Sequence, residues 1–88
     1  MSIKKHDEAL IKELLKKHVQ MGKEKKNYTQ EEMVELSDIS NSVISRIANN
    51  KTLVNIHTLA QLVLSLDIDA NKFFAEYGEK SKFFNQDE

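Results

Sequence analysis

The chain has 88 residues, 40% of them apolar and 31% charged, with no cysteine, no proline and two glycines. That suits one small domain with a single core, and it excludes a disulfide framework, a thiolate metal site and a glycine-rich phosphate loop. The net charge of −1 gives no general attraction to polyanions, so any such contact has to come from a local patch.

From about Lys5 to Lys26 the apolar residues Ala9, Leu10, Ile11, Leu14, Leu15, Val19 and Met21 recur at three- and four-residue steps among lysines and glutamates. The spacing predicts one amphipathic helix, or two with a break. Gly22 lies inside it and costs roughly 1 kcal/mol relative to alanine, so it is the expected weak point. Asn27 and Tyr28 interrupt the pattern. Thr29 followed by Glu32 is a capping box, which opens a helix over Gln30–Ser37 with apolar positions Met33, Val34 and Leu36. Asp38 suits the left-handed residue that closes it. Ser40 caps the next helix, Asn41 to about Asn49, with Val43, Ile44 and Ile47 inward, and Asn49–Lys51 stop it. Asn55 caps a fourth helix, Ile56–Leu66, whose expected core positions are Ile56, Leu59, Leu62, Val63 and Leu66. Asp69 caps a fifth, Ala70–Tyr77, in which Phe73, Phe74 and Tyr77 are expected in the core. The expectation is an all-α, five-helix domain over residues 1–77 with an extended first helix, followed by a flexible tail over residues 78–88.

Charge is unevenly spread: residues 1–26 hold eight lysines against four acids, and residues 27–88 hold five basic against ten acidic groups. Within the acidic part, two short helices are joined by only Asp38, Ile39 and Ser40. So short a turn forces them to cross steeply, at ~90–120°. The outer face of the second consists of Asn41, Ser42, Ser45, Arg46 and Asn49, which is polar, with one cation and no carboxylate. Asparagine and serine also crowd short exposed helices that bind nothing. The face fits a DNA major groove, where Arg46 can bond guanine O6 and N7 and Asn41 adenine N6 and N7, each pair discriminating by ~1–3 kcal/mol. The amides opening the Gln30 helix suit a backbone phosphate.

Thr29-Gln30-Glu31-Glu32-Met33-Val34-Glu35-Leu36-Ser37, then Ile39-Ser40, then Ile44-Ser45-Arg46-Ile47, resembles the helix-turn-helix of phage repressor and Cro-type (XRE-like) regulators. The similarity continues through Thr58-Leu59-Ala60-Gln61-Leu62 to Lys72-Phe73-Phe74 and covers roughly residues 15–77. The resemblance implies a repressor-like fold whose second motif helix lies in the major groove, with two-fold dimers reading half-sites ~34 Å apart. By position it assigns base reading to Ser40, Asn41, Ser42 and Arg46, with Ser45 on the same face. It assigns phosphate contacts to Gln30, Lys51 and Thr52, to which Asn49 and Lys23 are added. The chain departs from the family pattern at Val34 (alanine preferred), at Asp38 and Asn50 (glycine preferred) and at Ala48 (often glutamate). Without that glutamate, Lys23 is free for phosphate, as are Lys25 and Lys26.

His6, His18 and His57 are scattered with no partner at metal-ligand spacing. No metal, cofactor, small-molecule ligand or enzymatic activity is expected. Apolar runs of three or four residues are far short of the ~20 of a membrane span, and Ser2–Leu10 is charged, unlike a secretory signal. A cytoplasmic protein is therefore expected. Leu64 falls outside the core stripe of its helix, which suggests a dimer interface shared with the fifth helix and with Phe83 and Phe84; a lone exposed leucine is equally ordinary. The long first helix is either part of that interface or a cover for the core. The expected function is a DNA-binding transcriptional regulator acting as a homodimer on a palindromic operator of double-stranded DNA, of phage-repressor, restriction–modification-controller or antitoxin type. The rival is a protein-interaction module that keeps the helix-turn-helix shape without DNA.

Overall fold

The computed structural model describes residues 2–81, with side chains from Asp7 onward. Its five helices are α1 (Ser2–Lys26), α2 (Gln30–Ser37), α3 (Asn41–Ala48), α4 (Ile56–Leu66) and α5 (Ala70–Lys80), and the described residues contain no strand. Each of the last four starts on a side-chain cap. The Thr29 hydroxyl accepts from the Glu32 amide while the Glu32 carboxylate accepts from the Thr29 amide, and Ser40, Asn55 and Asp69 each accept from the amide three residues on. Four left-handed residues follow the helices, none of them glycine: Asn27 (φ 58°), Asp38 (φ 60°), Asn50 (φ 58°) and Asp67 (φ 56°). At the end of α3 the Lys51 amide donates to the Arg46 carbonyl at 2.8 Å and the Asn50 amide to Ile47 at 3.2 Å, the paired bonds of a Schellman close.

The core is built from Leu14, Leu15 and Val19 of α1, Met33 of α2, Ile39 of the turn, Ile44 and Ile47 of α3, Leu62 and Leu66 of α4 and Phe73 of α5. α1 packs on α3, α4 and α5, and α2 packs on α3 and α4. Of the motif pair, α3 is thus backed by α1 and α2 by α4. Gly22 does not break α1. It is buried, and a Cβ there would sit 3.2 Å from the Leu66 carbonyl oxygen. The glycine therefore lets α1 approach the end of α4, a packing role that offsets its low helix propensity.

Several expectations are corrected. Ile56 is 79% and Phe74 53% exposed rather than core. Ile56 lies about 80–120° round the helix from Leu62 and Leu66 at 100° per residue, and Phe74 is one residue on from the buried Phe73, against which it packs edge-on at 5.1 Å. Ala9, Met21 and Leu36 are exposed as well. The fifth helix does not stop at Tyr77: Gly78–Lys80 continue it, and Ser81 is fully buried with its hydroxyl 3.1 Å from both carboxylate oxygens of Asp7. The Tyr77 hydroxyl donates to the same carboxylate at 3.1 Å. α5 is longer because its last turn has α1 to pack on. Residues 82–88 of the expected tail lie outside the described residues.

Candidate nucleic-acid interface

The capping box fixes where α2 begins, and so fixes Gln30 as its first residue. The left-handed Asp38 and the Ser40 cap then fix Asn41 as the first residue of α3. These two first residues meet: Gln30 Nε2 donates to Asn41 Oδ1 at 2.6 Å. The bond orients the Asn41 amide. Its oxygen keeps one lone pair free and its NH2 has both hydrogens left, which is the acceptor–donor pair that adenine N6 and N7 require. The sequence reading gave Gln30 a phosphate contact and did not foresee this positioning bond. Residues of complementary hydrogen-bonding type at the starts of both motif helices were the available signal.

The rest of the α3 face divides by how free its polar atoms are. Ser42 and Arg46 are exposed, and no ion pair to Arg46 occurs among the described residues. Ser40 is exposed, but its oxygen is engaged as the cap, accepting from the Val43 amide at 3.3 Å. Ser45 is half-buried. Asn49 spends one amide hydrogen on the Ser45 carbonyl at 2.8 Å and retains the other. Ile44 and Ile47 anchor the opposite face in the core, so the helix cannot roll to bury its polar side.

Around this face lie the residues expected on phosphates. Lys51 is exposed just past α3, and Gln30 and Lys23 are half-buried. At the start of α2 the Glu32 and Met33 amides are taken by Thr29, which leaves those of Gln30 and Glu31 for an anion. The Thr52 hydroxyl donates to the Leu53 carbonyl at 2.7 Å, so its hydrogen is already committed. Lys25 and Lys26 are not free cations of this face: they approach the Asp67 carboxylate at the end of α4, at 3.6 and 3.8 Å. Leu64 stands on α4, 84% exposed. Phe83 and Phe84 lie outside the described residues.

One cluster away from this face was not foreseen. His18 is only 5% exposed, and its Nε2 lies 2.9 Å from Glu76 Oε1; the other carboxylate oxygen accepts from Lys17 and from Lys80, the latter at 3.1 Å. These partners, Lys17 foremost, hold the Glu76 carboxyl down to about 2. An ionised carboxylate only accepts, so His18 Nε2 carries a hydrogen. The cluster ties α1 to α5. Among the described residues no group of His, Asp and Glu could hold a metal ion, and no helix is long and apolar enough to cross a membrane.

A family model described as a helix-turn-helix domain matches residues 22–79 of the chain. No curated protein and no solved structure matches it.

Proposed function

The chain belongs to the XRE-like helix-turn-helix family of DNA-binding regulator domains, and from that premise we propose that it is a sequence-specific transcriptional regulator that binds a palindromic operator in double-stranded DNA as a homodimer. The observation that carries this reading is the Gln30–Asn41 hydrogen bond at the head of α3. It holds an amide ready beside an unpaired, exposed Arg46 on a face with no carboxylate. In the proposed complex Asn41, Ser42 and Arg46 read base edges, with Ser40 and Ser45 at the margin of the groove. Gln30, Asn49, Lys51 and Lys23 hold phosphates, and Thr52 joins them if its hydroxyl leaves Leu53. Phage repressors, restriction–modification controllers and antitoxins all fit this reading, and the acidic charge balance of residues 27–88 favours the controller type. A cytoplasmic location follows from the same reading.

Selection of binding sites from random duplexes, repeated with Arg46→Ala and across a salt series, tests it. The expected outcome is a palindrome, with Arg46→Ala relaxing one position in each half-site and costing ~1–3 kcal/mol there. Binding that vanishes with salt and selects no sequence would reduce the reading to an electrostatic contact. No enrichment from a folded dimer would replace it with a protein-interaction module.

A further inference from the structure

α1 and α5 pass each other in opposite directions, since Asp7 meets Ser81 and His18 meets Phe73. Between them lies an open groove of about 180 Å3, lined among others by Ile11 and Leu15 of α1, Leu59 of α4, Phe74 and Tyr77 of α5, and Val54 of the loop before α4. The one polar side-chain group among these, the Tyr77 hydroxyl, is already engaged by the Asp7 carboxylate at 3.1 Å. Phe74 on the wall is 53% exposed, and Ile11, Val54, Leu59 and Tyr77 are half-buried. An apolar cavity of ~150 Å3 takes one benzene molecule, so the groove has room for a single phenyl ring.

We propose that the chain beyond Ser81 folds back along α5 and seats the Phe83 ring in this groove. Ser81 delivers it there. Its φ of −67° and ψ of 129° have left the helix for an extended path, and its buried hydroxyl is fastened to Asp7. Ile11 lies one turn along α1 from Asp7 and Tyr77 one turn back along α5 from Ser81, so the groove opens ~6 Å from this anchor. An extended chain covers ~3.3–3.6 Å per residue, which brings Phe83, two residues on, to that depth. Side chains alternate along an extended segment: with Ser81 inward, Lys82 faces solvent, Phe83 faces inward and Phe84 outward. Asn85-Gln86-Asp87-Glu88 are polar and offer no competing ring. Seated there, Phe83 also meets Val54, three residues beyond Lys51, and ties the loop flanking the α3 face to the α1–α5 clamp. Phe83 is then part of its own chain's core and not of a dimer interface, whatever the protein binds.

Nuclear Overhauser contacts in the full chain test it, together with thermal melts of two variants. The Phe83 ring is expected to contact the methyl groups of Ile11 and Val54. In a mixture of labelled and unlabelled protein, those contacts are expected within one chain and not between chains. Phe83→Ala is expected to lower the melting temperature by ~4–8 °C, the range for a domain of this size that loses a partly buried ring, and Phe84→Ala to leave it nearly unchanged. A folded wild type without these ring contacts overturns the proposal. So do contacts made only between chains, which give the groove to a second copy's tail, and a pattern in which Phe84 takes the place of Phe83 in the contacts or the melts. Duplex binding is read separately, so the regulator stands or falls without this inference.

Discussion

Glu76 is where the two ends of the fold are tied together by charge. Its carboxylate is held by Lys17, His18 and Lys80 and lies at about 2, below the ordinary 4.5. A depressed carboxylate stabilises the folded state fully above its unfolded value, and the contribution fades as pH falls from about 4.5 towards 2. Wild-type melting temperature is therefore expected to drop through that interval, and Glu76→Gln to show a flatter profile there with lower stability at neutral pH. Equal slopes for the two proteins in acid melts would refute the assignment. Asp38 is the second residue with a measurable consequence. It adopts φ 60°, where a non-glycine residue pays ~1–2 kcal/mol, less for aspartate, and it sets a negative charge beside the α3 face. Asp38→Gly is expected to stabilise the domain by about 0.5–1 kcal/mol in urea unfolding and to tighten duplex binding at low salt; a destabilised variant would contradict the strain argument.

At the scale of elements, local chemistry made the helix boundaries legible. The predicted starts of α2, α3, α4 and α5 coincide with those observed, because each depends on one capping side chain and its amide three residues on. The motif pair was readable for the same reason, since Thr29, Asp38 and Ser40 specify two starts and a stop within a dozen residues. What was not legible depends on partners distant in sequence. His18 meets Glu76 across 58 residues and Asp7 meets Ser81 across 74, and no local pattern announces either pair. Apolar spacing also left the burial direction of α4 and α5 ambiguous: Ile56 and Phe74 satisfy a three- or four-residue step and still face outward. Gly22 misled for a related reason. Propensity describes a helix alone, whereas this glycine is set by the approach of Leu66. Thr29→Ala removes the hydroxyl that accepts from the Glu32 amide while keeping the backbone amide that donates to the Glu32 carboxylate, and a loss of about 1 kcal/mol is expected in urea unfolding.

Across the whole molecule, the family match begins at residue 22, yet Leu14, Leu15, His18 and Val19 lie before it and are buried. The first part of α1 is thus a structural member of the domain, clamped to α5 at Asp7 and again at Lys17 and His18. A chain starting at Gly22 keeps the matched segment but loses three of the ten buried apolar residues of the core. It is expected to show reduced helicity and no cooperative thermal transition by circular dichroism. A cooperative melt near that of the full chain would make the extension dispensable.

The clamp between the first helix and the last also sets an order of events during synthesis. His18 emerges 58 residues before Glu76, which at ~5–20 residues per second is roughly 3–12 s of translation. For that interval Leu14, Leu15 and Val19 have no Phe73 to cover them. α2 and α3 can form their capped turns, but nothing behind them is complete. Until α5 has been made, the nascent α1 therefore has only α3 and α4 to cover its apolar side, and the α1–α5 clamp behind the α3 face is still open.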